Sequence, residues 1–260
     1  MTYREQFNAI MNYGENHTMP VTHWTGWTET MERWHKEGLP RDADVHKFFN
    51  TTPLWTGIGC NVGLLPAFKE ETFEETDEYR VFRDGEGVVC KAWKKKSCIP
   101  HYIDFTLKTA KDWPEYKKRL QPDPARLPKD PGQTVKDVLA SGLPIQMWTG
   151  SLMGWIRNWM GVENMSYIMY DDRDLYKEMV MTISDLVCWA CDQVLPKIRV
   201  DFGFGWEDIC GRSGPLVSPD IFDECVAPGY RKIRNKLEQY GTKIYGIDSD
   251  GDVTALVGHW

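Results

Sequence analysis

The sequence has no long hydrophobic run. No apolar stretch approaches the roughly 20 residues of a membrane helix, and residues 1–19 are mixed and polar, without the apolar core of a signal peptide. Positive charge is also scarce: 31 Lys and Arg stand against 38 Asp and Glu, a formal net charge of −7. That balance argues against nucleic acid or an anionic membrane as a partner, since both call for basic patches. The one basic cluster, Lys94-Lys95-Lys96, is too short to reverse it. Regular cysteine spacing is missing too, and seven cysteines are an odd number, so reduced thiols fit better than a disulfide framework. Cys188 and Cys191 have zinc-like spacing. They fall within a helical stretch without a second pair or a nearby histidine, and read as buried thiols. Together these absences lead us to expect a cytoplasmic protein.

Aromatic residues are plentiful. The 260-residue chain is 42% apolar and contains 12 tryptophans. Each large ring can bury about 150–250 Å², so a substantial core or an aromatic-lined cavity is expected. One α/β barrel takes roughly 250 residues, and we expect a single domain over residues 1–260.

Hydrophobic spacing divides the chain into alternating elements. Residues 3–13 carry a helical pattern, Met19 to Trp24 reads as a short strand, and a helix is predicted from about Glu29 to Lys36. Leu54 to Cys60 reads as a second strand. Glu78 to Arg83 and Val88 to Trp93 flank Asp84-Gly85-Glu86-Gly87, predicting an inserted β-hairpin near 78–95. Pro122, Pro124, Pro128 and Pro131 mark a surface connection. Leu143 to Trp148 is a third strand. Leu175, Met179, Ile183, Leu186, Ala190 and Val194 then form one stripe on a long helix. Val200 to Trp206 is a fourth strand, Ser218-Pro219 starts a helix that Pro228-Gly229 should break, and Lys243 to Ile247 is a fifth strand. Such alternation implies an α/β fold with a parallel sheet covered or closed by helices. About five βα units are legible, where a closed barrel has eight.

In parallel α/β folds, sites lie at the carboxyl ends of strands. That rule selects His23, Trp24, Trp27 and Glu29 after the first strand, and Cys60 and Asn61 after the second. Thr149, Ser151 and Arg157 follow the third, Glu207 and Asp208 the fourth, and Asp248 and Asp250 the fifth. The paired carboxylates suit a hard cation, a cationic substrate, or a shared proton that makes one carboxyl a general acid. Helix capping is the competing role for Asp250 and Glu207. Trp24 and Trp27 beside Glu29 suit a cation–π contact to a methylated ammonium group, or core packing.

The blocks Trp206-Glu207-Asp208-Ile209-Cys210-Gly211, Gly214-Pro215-Leu216-Val217-Ser218-Pro219, Phe222, Pro228 and Ile247-Asp248-Ser249-Asp250-Gly251-Asp252 resemble the uroporphyrinogen decarboxylase superfamily. The resemblance runs from about Pro20 to the last residue. It implies a (β/α)8 TIM-barrel fold and either porphyrinogen decarboxylation or cobalamin-dependent methyl transfer. Decarboxylases of the family hold substrate propionates with arginines after the first strand, and Val21 to Met31 contains none. Zinc-dependent methyltransferases of the family carry a His-x-Cys pair after the fifth strand, where this chain has Asp248 and Asp250, so thiol activation by zinc is not expected.

What the resemblance implies is therefore a demethylase-type enzyme. It would move a methyl group from a small methylated substrate to cob(I)alamin, the corrinoid arriving free or on a carrier protein. Glu207, Asp208, Asp248 and Asp250 would serve as the catalytic carboxylates, with His23, Trp24, Trp27, Asn61, Ser151 and Arg157 binding substrate. Other readings are a decarboxylase for a different carboxylated substrate, drawing on Arg157 and Arg212, or a non-catalytic small-molecule binding protein. Family members continue with further strands, so the resemblance also implies a barrel open after strand five. Another chain, a partner or a second copy in a homo-oligomer, would then cover the edge.

Overall fold

The computed structural model describes residues 1–15, 18–23 and 26–260. The chain begins with α1 (Tyr3–Met11), α2 (Thr28–Glu37), α3 (Val45–Phe49) and the two-residue β1 (Thr56–Gly57). Next come β2 (Glu71–Glu75), β3 (Tyr79–Arg83), β4 (Val88–Trp93) and β5 (His101–Phe105). Helices α4 (Trp113–Lys117) and α5 (Pro131–Ala140) lead to β6 (Ile145–Gly150), α6 (Gly154–Asp171) and α7 (Arg173–Val194). After β7 (Phe202–Trp206) come the small β8 (Cys210–Gly211) and β9 (Gly214–Pro215), then α8 (Pro219–Ile221), α9 (Ala227–Gln239) and β10 (Ile244–Asp248).

The elements form a mixed α/β protein around a four-stranded parallel sheet in the order β1-β6-β7-β10. The order follows the chain without reversal. Alternation gives the sheet two different faces. Gly203 and Gly205 of β7 face the helices, where a Cβ on Gly203 would lie 2.4 Å from Leu237 of α9. Phe202, Phe204 and Trp206 face the other way. There Trp55 packs on Phe204 at 4.8 Å, Trp148 lies 6.3 Å from it, and Phe7 of α1 covers Phe202 at 5.0 Å. One face is thus a helix-backed core and the other a half-buried aromatic surface.

The helix α7 shows why the core holds. Met179, Ile183, Leu186, Ala190 and Val194 of its predicted stripe are buried, and Leu175 packs against them. Each large aliphatic side chain there contributes about 1.5–3 kcal/mol of transfer energy. Its first turn is capped by Asp172, whose carboxylate accepts from the Leu175 amide at 3.1 Å.

Four sequence expectations are corrected. The predicted first strand, Met19 to Trp24, is not a strand over its described residues 19–23, and Trp24 lies outside the described residues. The second, Leu54 to Cys60, shrinks to β1, which pairs with β6 at Thr56 and Gly57. The hairpin is the middle of an antiparallel sheet ordered β2-β3-β4-β5. Its turn forms as expected: Asp84 Oδ1 accepts from the Glu86 and Val88 amides at 2.9 Å, and Gly87 takes φ 84°. The outer strand β2 is exposed and acidic, with Arg83 paired to Glu71 at 2.7 Å and Arg80 to Glu70 at 3.2 Å. Main-chain pairing, which has no hydrophobic signature, made that strand. Pro228-Gly229 does not break the helix, because a π turn over Phe222–Val226 precedes it and leaves Pro228 in the first turn of α9.

Candidate functional site

The carboxyl ends of β6, β7 and β10 converge, and strand parity sorts their side chains. Asp248 is the register partner of Trp206, so the carboxylate and the indole lie on the same aromatic face. Glu207, one residue on, turns to the helix face and is fully buried. Its oxygens accept from Ser151 Oγ and the amides of Leu152, Met153 and Gly154 at 2.7–2.9 Å, and from the Tyr230 hydroxyl. Burial pushes its carboxyl up in pKa, and the donors pull against that. Glu207 is an N-terminal anchor for α6 and is separated by the sheet from the other three carboxylates.

Asp208 takes φ 48°, one of three non-glycine residues with positive φ among the described residues. The other two, Tyr13 and Asn50, sit at helix C-termini, where such a conformation is ordinary. Asp208 instead turns the chain at a cavity. Its Oδ1 accepts from the Asp250 amide at 3.2 Å, which ties the loop after β7 to the loop after β10. Asp248 has its pKa raised by partial burial and by the neighbouring Asp208 and Asp250 charges. Among the described residues no group of three His, Cys, Asp or Glu is arranged to hold a metal ion.

Arg157 of α6 completes the floor. Its Nη1 donates to the main-chain carbonyls of Asp208 and Glu207, its Nη2 reaches Asn158 Oδ1 at 3.2 Å, and its guanidinium lies 5.7 Å from the Trp206 ring centre. It has no carboxylate partner among the described residues. The adjoining cavity, about 680 Å³, is lined by Arg157, Trp206, Asp208 and Leu216 together with Tyr102 and Phe105 of β5. Volumes of this size suit a small molecule. The antiparallel sheet thus supplies the second wall. Helix α6 yields to it: Gly161 leaves the helical region with φ 79°, and a Cβ there would meet the Phe105 ring at 2.6 Å.

No protein-family model matches this chain, and no curated protein matches it. What the site can do follows from its own geometry.

The remaining expected site residues lie elsewhere. Ser151 is buried and serves Glu207. Asn61 is exposed; its Oδ1 accepts from the Gly63 amide at 2.8 Å and its carbonyl from buried Arg126 at 3.2 Å. His23 stacks on His46 at 4.9 Å and meets Trp34 edge-on, within the α2–α3 unit. Trp27 is exposed at the start of α2, and Glu29 accepts from the Ser97 amide at 2.6 Å. Burial pushes the Cys60 thiol up to about 11, so it is protonated at neutral pH. The cavity residues Tyr102, Phe105 and Gly161 escaped the strand-end rule because they come from the antiparallel sheet and a helix interior. A glycine within an apolar helical run was the one available signal.

Proposed function

We propose that this chain is a corrinoid-dependent methyltransferase of the demethylase type, built on a (β/α)8-like barrel. A monotonic parallel order with helices on one face is the winding from which such barrels close, and it supports that architecture. The observation that carries the reading is Asp248: a carboxyl with raised pKa, beside Asp208 and Asp250, on the same face as the Trp206 indole.

A small methylated molecule lying against that face presents its heteroatom to the carboxylates. Protonated Asp248 donates its proton to the departing oxygen or nitrogen, or the three carboxylates hold a cationic amine. Trp206 and the Tyr102–Phe105 wall exclude water and fix orientation. A corrinoid, when bound, supplies the nucleophile that accepts the methyl group. The half-buried rings of Trp55, Trp148, Phe204 and Trp206 fit such a group by offering a broad apolar face to a flat macrocycle. A carrier protein is the expected means of delivery. Oxygen donors at Asp248 and Asp250 favour no zinc–thiolate chemistry.

The test is spectrophotometric. Protein is mixed with cob(I)alamin and a panel of aryl methyl ethers, methylated amines and methyl thiols, and methylcobalamin is followed. Conversion that is lost on Asp248→Asn supports the reading, and no conversion by folded protein across the panel overturns it. A decarboxylase acting on a carboxylated substrate is the second reading, favoured by Arg157, a guanidinium that borders the cavity and has no carboxylate partner among the described residues. Release of carbon dioxide from an acid panel would show it.

A further inference from the structure

Helix α2 presents Glu29, Arg33 and Lys36 along one side, at the spacing of successive turns, with Glu32 beside them. That side meets the turn between β4 and β5, and the two enclose a groove of about 490 Å³ whose other wall is Lys94, Lys95, Lys96 and Ser97. The Ser97 amide joins the walls by donating to Glu29 Oε1 at 2.6 Å. The same turn carries Ile99 to the cavity beside Arg157.

Charge narrows the ligand. Both carboxylates on the groove are already engaged, Glu29 by the Ser97 amide and Glu32 by Arg41 through two bonds of 3.1 and 3.2 Å. Lys94 pairs with Glu75, and Arg33 with Glu37. Exposed Lys36, Lys95 and Lys96 form no ion pair among the described residues, in a chain whose net charge is −7. Three ammonium groups on two facing walls are thus left for an anion from outside. Lysines act as point charges on flexible stems, which suit the tetrahedral oxygens of phosphate, whereas a planar carboxylate is matched by the arginine fork. The volume admits a small molecule.

We propose that this groove binds a small phosphate-bearing anion with two or more charges, of the diphosphate class. Lys36 holds it from the helix, and Lys95 and Lys96 hold it from the turn. A bound anion relieves the repulsion among these cations and ties the turn to α2, which steadies Ile99 at the cavity. The proposal stands independently of methyl transfer.

Inorganic pyrophosphate and citrate, each titrated calorimetrically onto the full chain at fixed ionic strength, test it. Pyrophosphate is expected to bind roughly tenfold more tightly than citrate and to slow amide exchange over residues 94–97. The exposed double variant Lys95→Gln, Lys96→Gln should weaken its binding roughly tenfold, and Lys36→Gln on the facing wall roughly threefold, the scale of exposed charge pairs. Absence of binding, or equal binding of citrate, overturns the proposal. Pyrophosphate binding that no variant weakens overturns it as adventitious, and weakening confined to the double variant overturns the groove in favour of the lysine turn by itself.

Discussion

The Glu207 amide donates to the Asp248 carbonyl at 2.8 Å, yet their side chains leave the sheet on opposite faces. One faces a closed ring of donors behind the sheet; the other faces the aromatic surface with two more carboxylates nearby. Residues that look like equivalent members of one acidic site therefore have different consequences when changed.

Glu207→Gln should lower stability by about 2–4 kcal/mol, because the amide brings N–H groups against donors already in place. The urea midpoint should fall with the slope unchanged. A loss under about 1 kcal/mol would mean that the α6 terminus does not depend on this carboxylate.

Asp248→Asn should slightly stabilise the protein at neutral pH. The folded carboxyl sits above its ordinary value, so the native state holds that proton longer than the unfolded chain and stability declines as pH rises through the interval. The variant lacks that decline. Because Asp248 is exposed, the gain at pH 7 should be about 0.5 kcal/mol or less and should vanish below about pH 3. Urea titrations across that range would decide it. Under the methyl-transfer reading the same variant should cut the rate by about 10²- to 10⁴-fold, and wild-type activity should fall as pH rises through the Asp248 pKa.

Gly161→Ala should cost about 1–3 kcal/mol, since alanine is strained at φ 79° and its Cβ meets Phe105. Adding Phe105→Leu should return the steric part and leave the backbone part. Denaturation of the four proteins in a double-mutant cycle measures that coupling, and strict additivity would contradict the contact.

Arg126→Met should cost about 3 kcal/mol or more. This residue is 1% exposed, and among the described residues its guanidinium donates only to main-chain carbonyls, of Asn61, Gly63, Arg119 and Gln121. Methionine fills the space and leaves those acceptors without donors. A thermal shift too small for that loss would show that water replaces the arginine.

Much of the architecture was legible in the sequence. Periodicity marked α7, apolar runs marked β6, β7 and β10, and Asp84 to Gly87 marked the hairpin turn, because those signals report local burial and local backbone demand. The sequence pattern also named Asp208 and Arg157, which border one cavity, and Asp248 and Asp250, which lie near Asp208. It failed at Met19–His23, where the described residues of an apolar run form no strand. It failed again at β2 and β5, exposed strands held by their neighbours' main chains. Strand parity at Glu207 was decided by which face the helices cover, while the burial of Arg126 and the Phe105–Gly161 contact were decided by segments distant in sequence. The chain by itself determined which segments are helix or strand and which carboxylates follow them. Only the tertiary structure decided what those carboxylates touch, because contact across a sheet depends on register and covering layers that no local run of residues encodes.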